Sequence, residues 1–208
     1  MEASAGELPL EVAGGFPMIS VVEDSFCVTS PTEIIIKKKY CGVFFNQRYK
    51  VFDVNGNLLL QVDGSSLDVR KKRIMRDAAG STVLTMREKV NLISLRHRWM
   101  VHKGGSSEKK DLIFGVQRSH PLDMNPRLDV FMATNISQGI SSFQLVGSHI
   151  DNSCKVYKED TIIAEVIDVF PRNNFSKWTE SFRVKINAGV DYAFIVVLLA
   201  ILTVNDYI

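Results

Sequence analysis

The chain has 208 residues, 46% of them hydrophobic and 23% charged, with 25 Lys and Arg against 23 Asp and Glu for a net charge of +2. At about 100–200 residues per domain this is one domain with enough chain for a sizeable core, and the composition excludes a disordered chain, a collagen-like fibre and a coiled coil. The near-neutral balance does not by itself call for nucleic acid or a membrane as partner.

Residues 1–18 read as a loose arm, because Pro9, Gly14-Gly15 and Pro17 interrupt any regular pattern, and 19–208 as the single folded domain. The first eighteen residues hold three Glu and neither Lys nor Arg, which is not the basic, apolar start of a secretory signal. Cys27, Cys41 and Cys154 are an odd and widely spaced set, neither a disulfide framework nor a zinc motif. An intracellular, reducing location is the expectation.

From residue 19 onward, short β-branched and apolar runs alternate with turn signals. The runs are 32–40, 48–54, 58–63, 73–77, 82–89, 92–102, 111–118, 128–134, 142–147, 154–158, 161–169 and 181–186. Asn55-Gly56 marks a hairpin whose two turn residues are both expected at positive φ, and Ala78-Ala79-Gly80-Ser81 marks a second. Eleven or twelve closely spaced strands with short connections indicate antiparallel β structure, a barrel or a sandwich. No helix-period segment lies between them, which argues against a parallel α/β fold. In Lys37-Lys38-Lys39 the alternation sets Lys38 on the face of Ile34 and Ile36, so the strand is expected to end there.

Residues 192–204 are almost wholly apolar, with Asp191 placed to cap a helix. As a helix they reach about 20 Å, against the roughly 30 Å of a bilayer core. A helix apolar on every side and too short to span belongs inside a protein; a core strand and a membrane-inserted segment are the alternatives. A β chain ending in such a helix, at about 191–204, suggests a closed barrel with the helix through its middle.

Asn187-Ala-Gly-Val-Asp191-Tyr192-Ala-Phe and the apolar run after it, Leu58-Leu-Leu-Gln-Val62 after Asn55-Gly56, Ser94-Leu-Arg-His-Arg-Trp99 and Leu128-Asp129-Val130-Phe131 together resemble the plant LURP-one-related family. The resemblance covers nearly the whole chain from about residue 16. That family is similar in fold to the tubby C-terminal domain and to phospholipid scramblases. The resemblance therefore implies a closed antiparallel barrel of about twelve strands around a central hydrophobic C-terminal helix, and a non-enzymatic protein in plant defence.

Catalytic and cofactor motifs are missing from the sequence. His97, His102, His120 and His149 are scattered, His97 and His102 fall on opposite faces of a strand, and no nucleophile elbow, zincin, Walker or dinucleotide motif occurs. Scramblases carry an acidic calcium-associated segment before the terminal helix; residues 171–180 hold one acid and two bases, which argues against a calcium site and against scrambling. Trp99 and Trp178 read as core residues rather than membrane anchors.

Charge is distributed unevenly. Residues 70–103 carry ten bases and two acids, a local +8 that leaves −6 for the rest of the chain. Arg70, Lys71, Lys72, Arg73 and Arg76 are its densest part and the candidate head-group ligands. A phosphate-rich partner fits such a cluster: an anionic phospholipid surface first, nucleic-acid backbone second. Tubby domains bind phosphoinositides through a basic barrel surface, so the resemblance implies membrane tethering with release to the nucleus. The competing expectations are a protein-interaction scaffold with no lipid role and an ordinary solvated barrel face.

Overall fold

A computed structural model describes residues 17–41, 46–64, 72–91, 96–119, 127–135, 139–148, 153–170 and 180–202. Twelve strands follow in chain order: β1 (Thr32–Cys41), β2 (Asn46–Asp53), β3 (Leu58–Gly64), β4 (Arg73–Asp77), β5 (Thr82–Asn91), β6 (Arg96–Lys103), β7 (Leu112–Arg118), β8 (Arg127–Met132), β9 (Phe143–Ser148), β10 (Ser153–Lys158), β11 (Thr161–Phe170) and β12 (Glu180–Ile186). Each pairs antiparallel with its neighbour in sequence, and β1 pairs with β12, from Thr32 opposite Ile186 to Lys38 opposite Glu180. The barrel is therefore closed, and no strand edge is left to recruit another chain.

Alternation along each strand sends one set of side chains inward. Ile34 and Ile36, Leu60 and Val62, Leu84 and Met86, Trp99 and Val101, and Phe114 and Val116 are all buried, each pair two residues apart. Into this lining runs the single α-helix, α1 (Tyr192–Leu202). Every residue from Ala193 to Leu202 is buried. Phe194 meets Phe114 and Phe143 with ring centroids 5.3 and 4.9 Å apart. The expected buried helix is thus found over Tyr192–Leu202 of the expected 191–204; residues 203–208 lie outside the described residues. Among the described residues no helix is long and apolar enough to cross a membrane.

One carboxylate fixes the entry of the helix. Asp191 is completely buried. Its Oδ1 accepts the Phe194 N–H at 3.0 Å, the N-cap bond, while Oδ2 accepts the N–H groups of Val21, Val22 and Glu23 at 3.3, 2.7 and 3.3 Å. Backbone bonds from Ile19 to Gly189 and from Val28 to Val190 tie the segment before β1 across the same barrel end. So the part of the chain expected to lie beyond a loose arm begins as a strap over the helix entry. Burial raises the Asp191 pKa, opposed by its four backbone donors. Gly189 sits at φ +80, and a Cβ there would stand 2.8 Å from the Pro17 carbonyl oxygen, so only glycine lets the strap approach.

Two sequence expectations are corrected. First, β1 does not end at the lysine triplet: it runs to Cys41, and Lys38 points inward at 4% exposure. Second, the Asn55-Gly56 hairpin has one residue at positive φ, Gly56 at 85°, not two. Of the expected 92–102 run, 96–102 lies in β6 and 92–95 lies outside the described residues. In that first hairpin the chain turns back after Asp53. The Gly56 N–H bonds back to the Asp53 carbonyl, and the Asp53 side chain accepts the Asn57 N–H at 2.8 Å. This is a type I turn closed by a glycine bulge, and Asp77 to Ser81 repeats it around Gly80. Asparagine is comfortable in the right-handed region here, so only the bulge position needs glycine. Cys27 and Cys154 are free thiols.

A candidate anion-binding wall

The inward register of β4 and β5 decides where the sequence-predicted bases go. Met75, Met86 and Glu88 face the interior, so Lys72, Arg76, Arg87 and Lys89 face out, and Arg73 faces in. Arg73 is only 6% exposed and its guanidinium lies over the Tyr49 ring at 5.5 Å. It is therefore not part of an outer surface, a correction to the expected five-residue cluster. Arg76 is outward, but its Nη1 bonds Asp63 at 3.0 Å, and Asp63 also takes Arg48 at 2.6 Å. Arg70 and Lys71 lie outside the described residues. Of the expected five, Lys72 is left as an outward base with no described ion pair.

Bases further along the chain join it. Arg73 pairs with Met86 at the start of β4; Lys72 is the residue just before that pair and Arg87 the residue just after it on β5. On the other side of β5, Lys89 is directly opposite Arg98 of β6. Lys72, Arg87, Lys89 and Arg98 thus form one corner of the outer barrel, towards the end where β5 and β6 meet. Among the described residues none of the four has an ion pair, and the nearby acids are occupied elsewhere. Glu88 is inward and buried, Asp77 accepts the Ser81 N–H, and Asp129 accepts from Gln144 at 3.1 Å. Directly opposed like charges weaken a sheet pair, so this corner carries a cost that the rest of the barrel does not explain.

The corner is also built on a firm floor. Met100, His102 and Thr85 lie on the same outer face and are buried; Thr85 and His102 are opposite each other, and the Thr85 hydroxyl donates to the Gly104 carbonyl at 2.8 Å. Arg98 lies over the Phe131 ring at 5.3 Å, and burial lowers its pKa from the ordinary value. The Nε atoms of Arg87 and Arg98 and the Nδ1 of His102 are buried and have no hydrogen-bond partner among the described residues. Burial lowers the His102 pKa, and the field of Lys89 and Arg87 lowers it further, so the imidazole is neutral at neutral pH. The bases at 87, 89 and 98 were within the +8 stretch; what the sequence count lacked was the alternation around Glu88 that turns exactly these outward and Arg73 inward.

Among the described residues no three His, Cys, Asp or Glu side chains group as a metal site. His120, His149, Trp178 and most of the 171–180 segment lie outside the described residues. Trp99 is core, as expected.

The molecule is, in class, a closed antiparallel β-barrel with a buried C-terminal helix and a basic corner on its outer wall. The LURP-one-related family model matches residues 32–203, and the chain belongs to that family. It is 40% identical over 195 residues to LURP-one-related protein 14 of Arabidopsis thaliana, covering 92% of this chain and 93% of that one. It is 37% identical to LURP-one-related protein 9 of the same plant, covering 88% and 96%. The X-ray structure of another Arabidopsis thaliana protein superposes with a TM-score of 0.67 at 31% identity, covering 90% of this chain and 98% of that chain.

Proposed function

We propose that this protein is a non-enzymatic docking module that binds anionic phospholipid surfaces through the wall formed by Lys72, Arg87, Lys89 and Arg98. The observation that carries the reading is the concentration of four outward bases in one corner, with no described acid paired to any of them. Bases near an anionic membrane contribute about 1 kcal/mol each. Replacing Lys72, Arg87 and Lys89 together by Ala should therefore weaken binding to phosphatidylserine-containing vesicles by about 3 kcal/mol at low salt. Binding of the parent protein should fade as salt rises, since the screening length shrinks from about 10 Å at 0.1 M to about 3 Å at 1 M. Vesicle flotation measures both. If the triple variant floats as well as the parent, the corner is a solvated face and a protein-interaction scaffold becomes the better account.

A further inference from the structure

Ser20 lies on the strap that covers the helix entry. With Glu23 it has the spacing of a capping box, in which a serine hydroxyl caps a helix and the acid three residues on caps back. No such cap forms here. The turn that follows, a 3-10 turn over Asp24–Phe26, takes Glu23 as its N-cap and has no side-chain cap bond. The Ser20 hydroxyl is exposed and donates instead to Asp24 Oδ1. Glu23 and Asp24 are exposed as well. The surface therefore presents a serine followed at three and four residues by acids, the pattern on which acid-directed protein kinases act.

The same serine adjoins the lock on the helix. The three N–H groups that Asp191 Oδ2 accepts belong to Val21, Val22 and Glu23, the next three residues. The Cys27 thiol joins the two sides. It is within hydrogen-bonding reach of the Ser20 hydroxyl, and burial first, then the field of Asp191, push its pKa up to about 11. Residues 17–31 hold two acids and neither Lys nor Arg. A phosphoserine carries about −1.5 to −2 charges at neutral pH. At Ser20 it replaces the hydrogen bond donated to Asp24 by two anions face to face, beside Glu23 and Asp191 and with no base on the strap to pair it. Like charge packed in this way undocks a segment.

We infer that Ser20 is a phosphorylation site whose phosphate unlatches residues 17–28 from the helix entry. An acid-directed kinase supplies the chemistry: Oγ attacks the γ-phosphorus of a nucleoside triphosphate, the Oγ–P bond forms as the bond to the departing diphosphate breaks, and the hydroxyl proton passes to the kinase's base. Opening parts Ile19 from Gly189 and Val28 from Val190, and lifts the buried side chains of Ile19 and Val21 off the barrel end. A short apolar edge is uncovered beside the helix start, while the twelve paired strands stay closed. The latch operates whether or not the basic corner docks to a membrane.

The full-length protein is treated with a casein-kinase-type, acid-directed kinase, magnesium and ATP, and the modified residue is located by peptide mass mapping. A phosphate at Ser20 is expected. It should be lost in Glu23→Gln, which removes the acid three residues on and keeps the backbone N–H that Asp191 accepts. Amide hydrogen exchange then reads the latch. In the phosphorylated protein the Val21, Val22 and Glu23 amides should exchange faster by about tenfold or more, the effect of one buried hydrogen bond, and those of β5, β6 and β7 should stay within about twofold of the parent. Ser20→Glu should speed the same amides without kinase. Ser20→Ala, which loses the Asp24 bond and adds no charge, should speed them less.

No phosphate at Ser20 overturns the site, as does one found only at Ser30, which is exposed and has Glu33 three residues on. Phosphorylation of Ser20 undiminished in Glu23→Gln overturns the class of kinase. A phosphate at Ser20 that leaves the 21–23 amides unchanged, or speeds exchange equally throughout the barrel, overturns the latch. Equal effects of Ser20→Glu and Ser20→Ala overturn charge as its cause.

Discussion

Asp191 shows how much one side chain can decide. Its two carboxylate oxygens serve four backbone donors, one on the helix and three on the strap. Asp191→Ala orphans all four, and unsatisfied buried donors together with a lost cap should destabilise the fold by about 2–4 kcal/mol, read from urea or thermal unfolding. The pH dependence has a definite sign. Burial raises the Asp191 pKa above its ordinary 3.8, so the folded state holds this proton more tightly than the unfolded state. Its contribution to stability is complete below 3.8 and is lost as pH rises through the raised folded value. In Asp191→Asn that decline disappears, so the gap in stability between parent and variant should narrow as pH rises across this window. A gap that stays constant would mean that the folded pKa is not raised. Gly189→Ala tests the same junction from the backbone: the positive φ and the 2.8 Å approach to Pro17 should cost about 1–3 kcal/mol.

At the scale of elements, the sequence was most legible where one physical rule acted alone. The strands follow from alternation and the helix from uniform apolarity, and both appear close to their expected bounds. Legibility failed where tertiary context supplied a partner that the local pattern could not show. Lys38 was expected to stop β1 because an inward lysine is costly, yet it is buried inside the barrel with an interaction of its own, as is Arg73. Arg73 was misplaced for the same reason, since a run of consecutive bases carries no inward or outward label until the neighbouring register is known. The candidate wall was legible as a charge excess, but its members come from β5, β6 and the residue before β4, and only register assembles them. The helix itself should be indispensable: Phe194→Ala removes a ring packed on Phe114 and Phe143 and should cost about 3–5 kcal/mol, and a chain ending at Gly189 should not melt cooperatively. A soluble, cooperatively melting truncated chain would show that the barrel does not depend on its filling.

Over the whole molecule, closure of the barrel and the charge pattern pull in different directions. A closed sheet of twelve strands could place its bases anywhere on the outer wall, and like charges directly opposed across a pair are the least stable arrangement open to it. Lys89 opposite Arg98 is such an arrangement, left without an acid among the described residues. A surface selected for stability alone would carry Glu at position 89. Lys89→Glu should therefore stabilise the fold by about 0.2–1 kcal/mol, the range for an opposite-charge cross-strand pair, and raise the thermal midpoint by a few degrees at most. The same change cancels a base on the wall and seats an acid within reach of Arg98, so binding to anionic vesicles should fall by more than in Lys89→Ala. The two measurements must move in opposite directions if the corner exists to bind an anion, because the repulsion relieved by the glutamate is the same field that attracts the ligand. A variant that is both less stable and equally well bound would show instead that Lys89 is an ordinary solvated residue, with its repulsion already screened by water and salt.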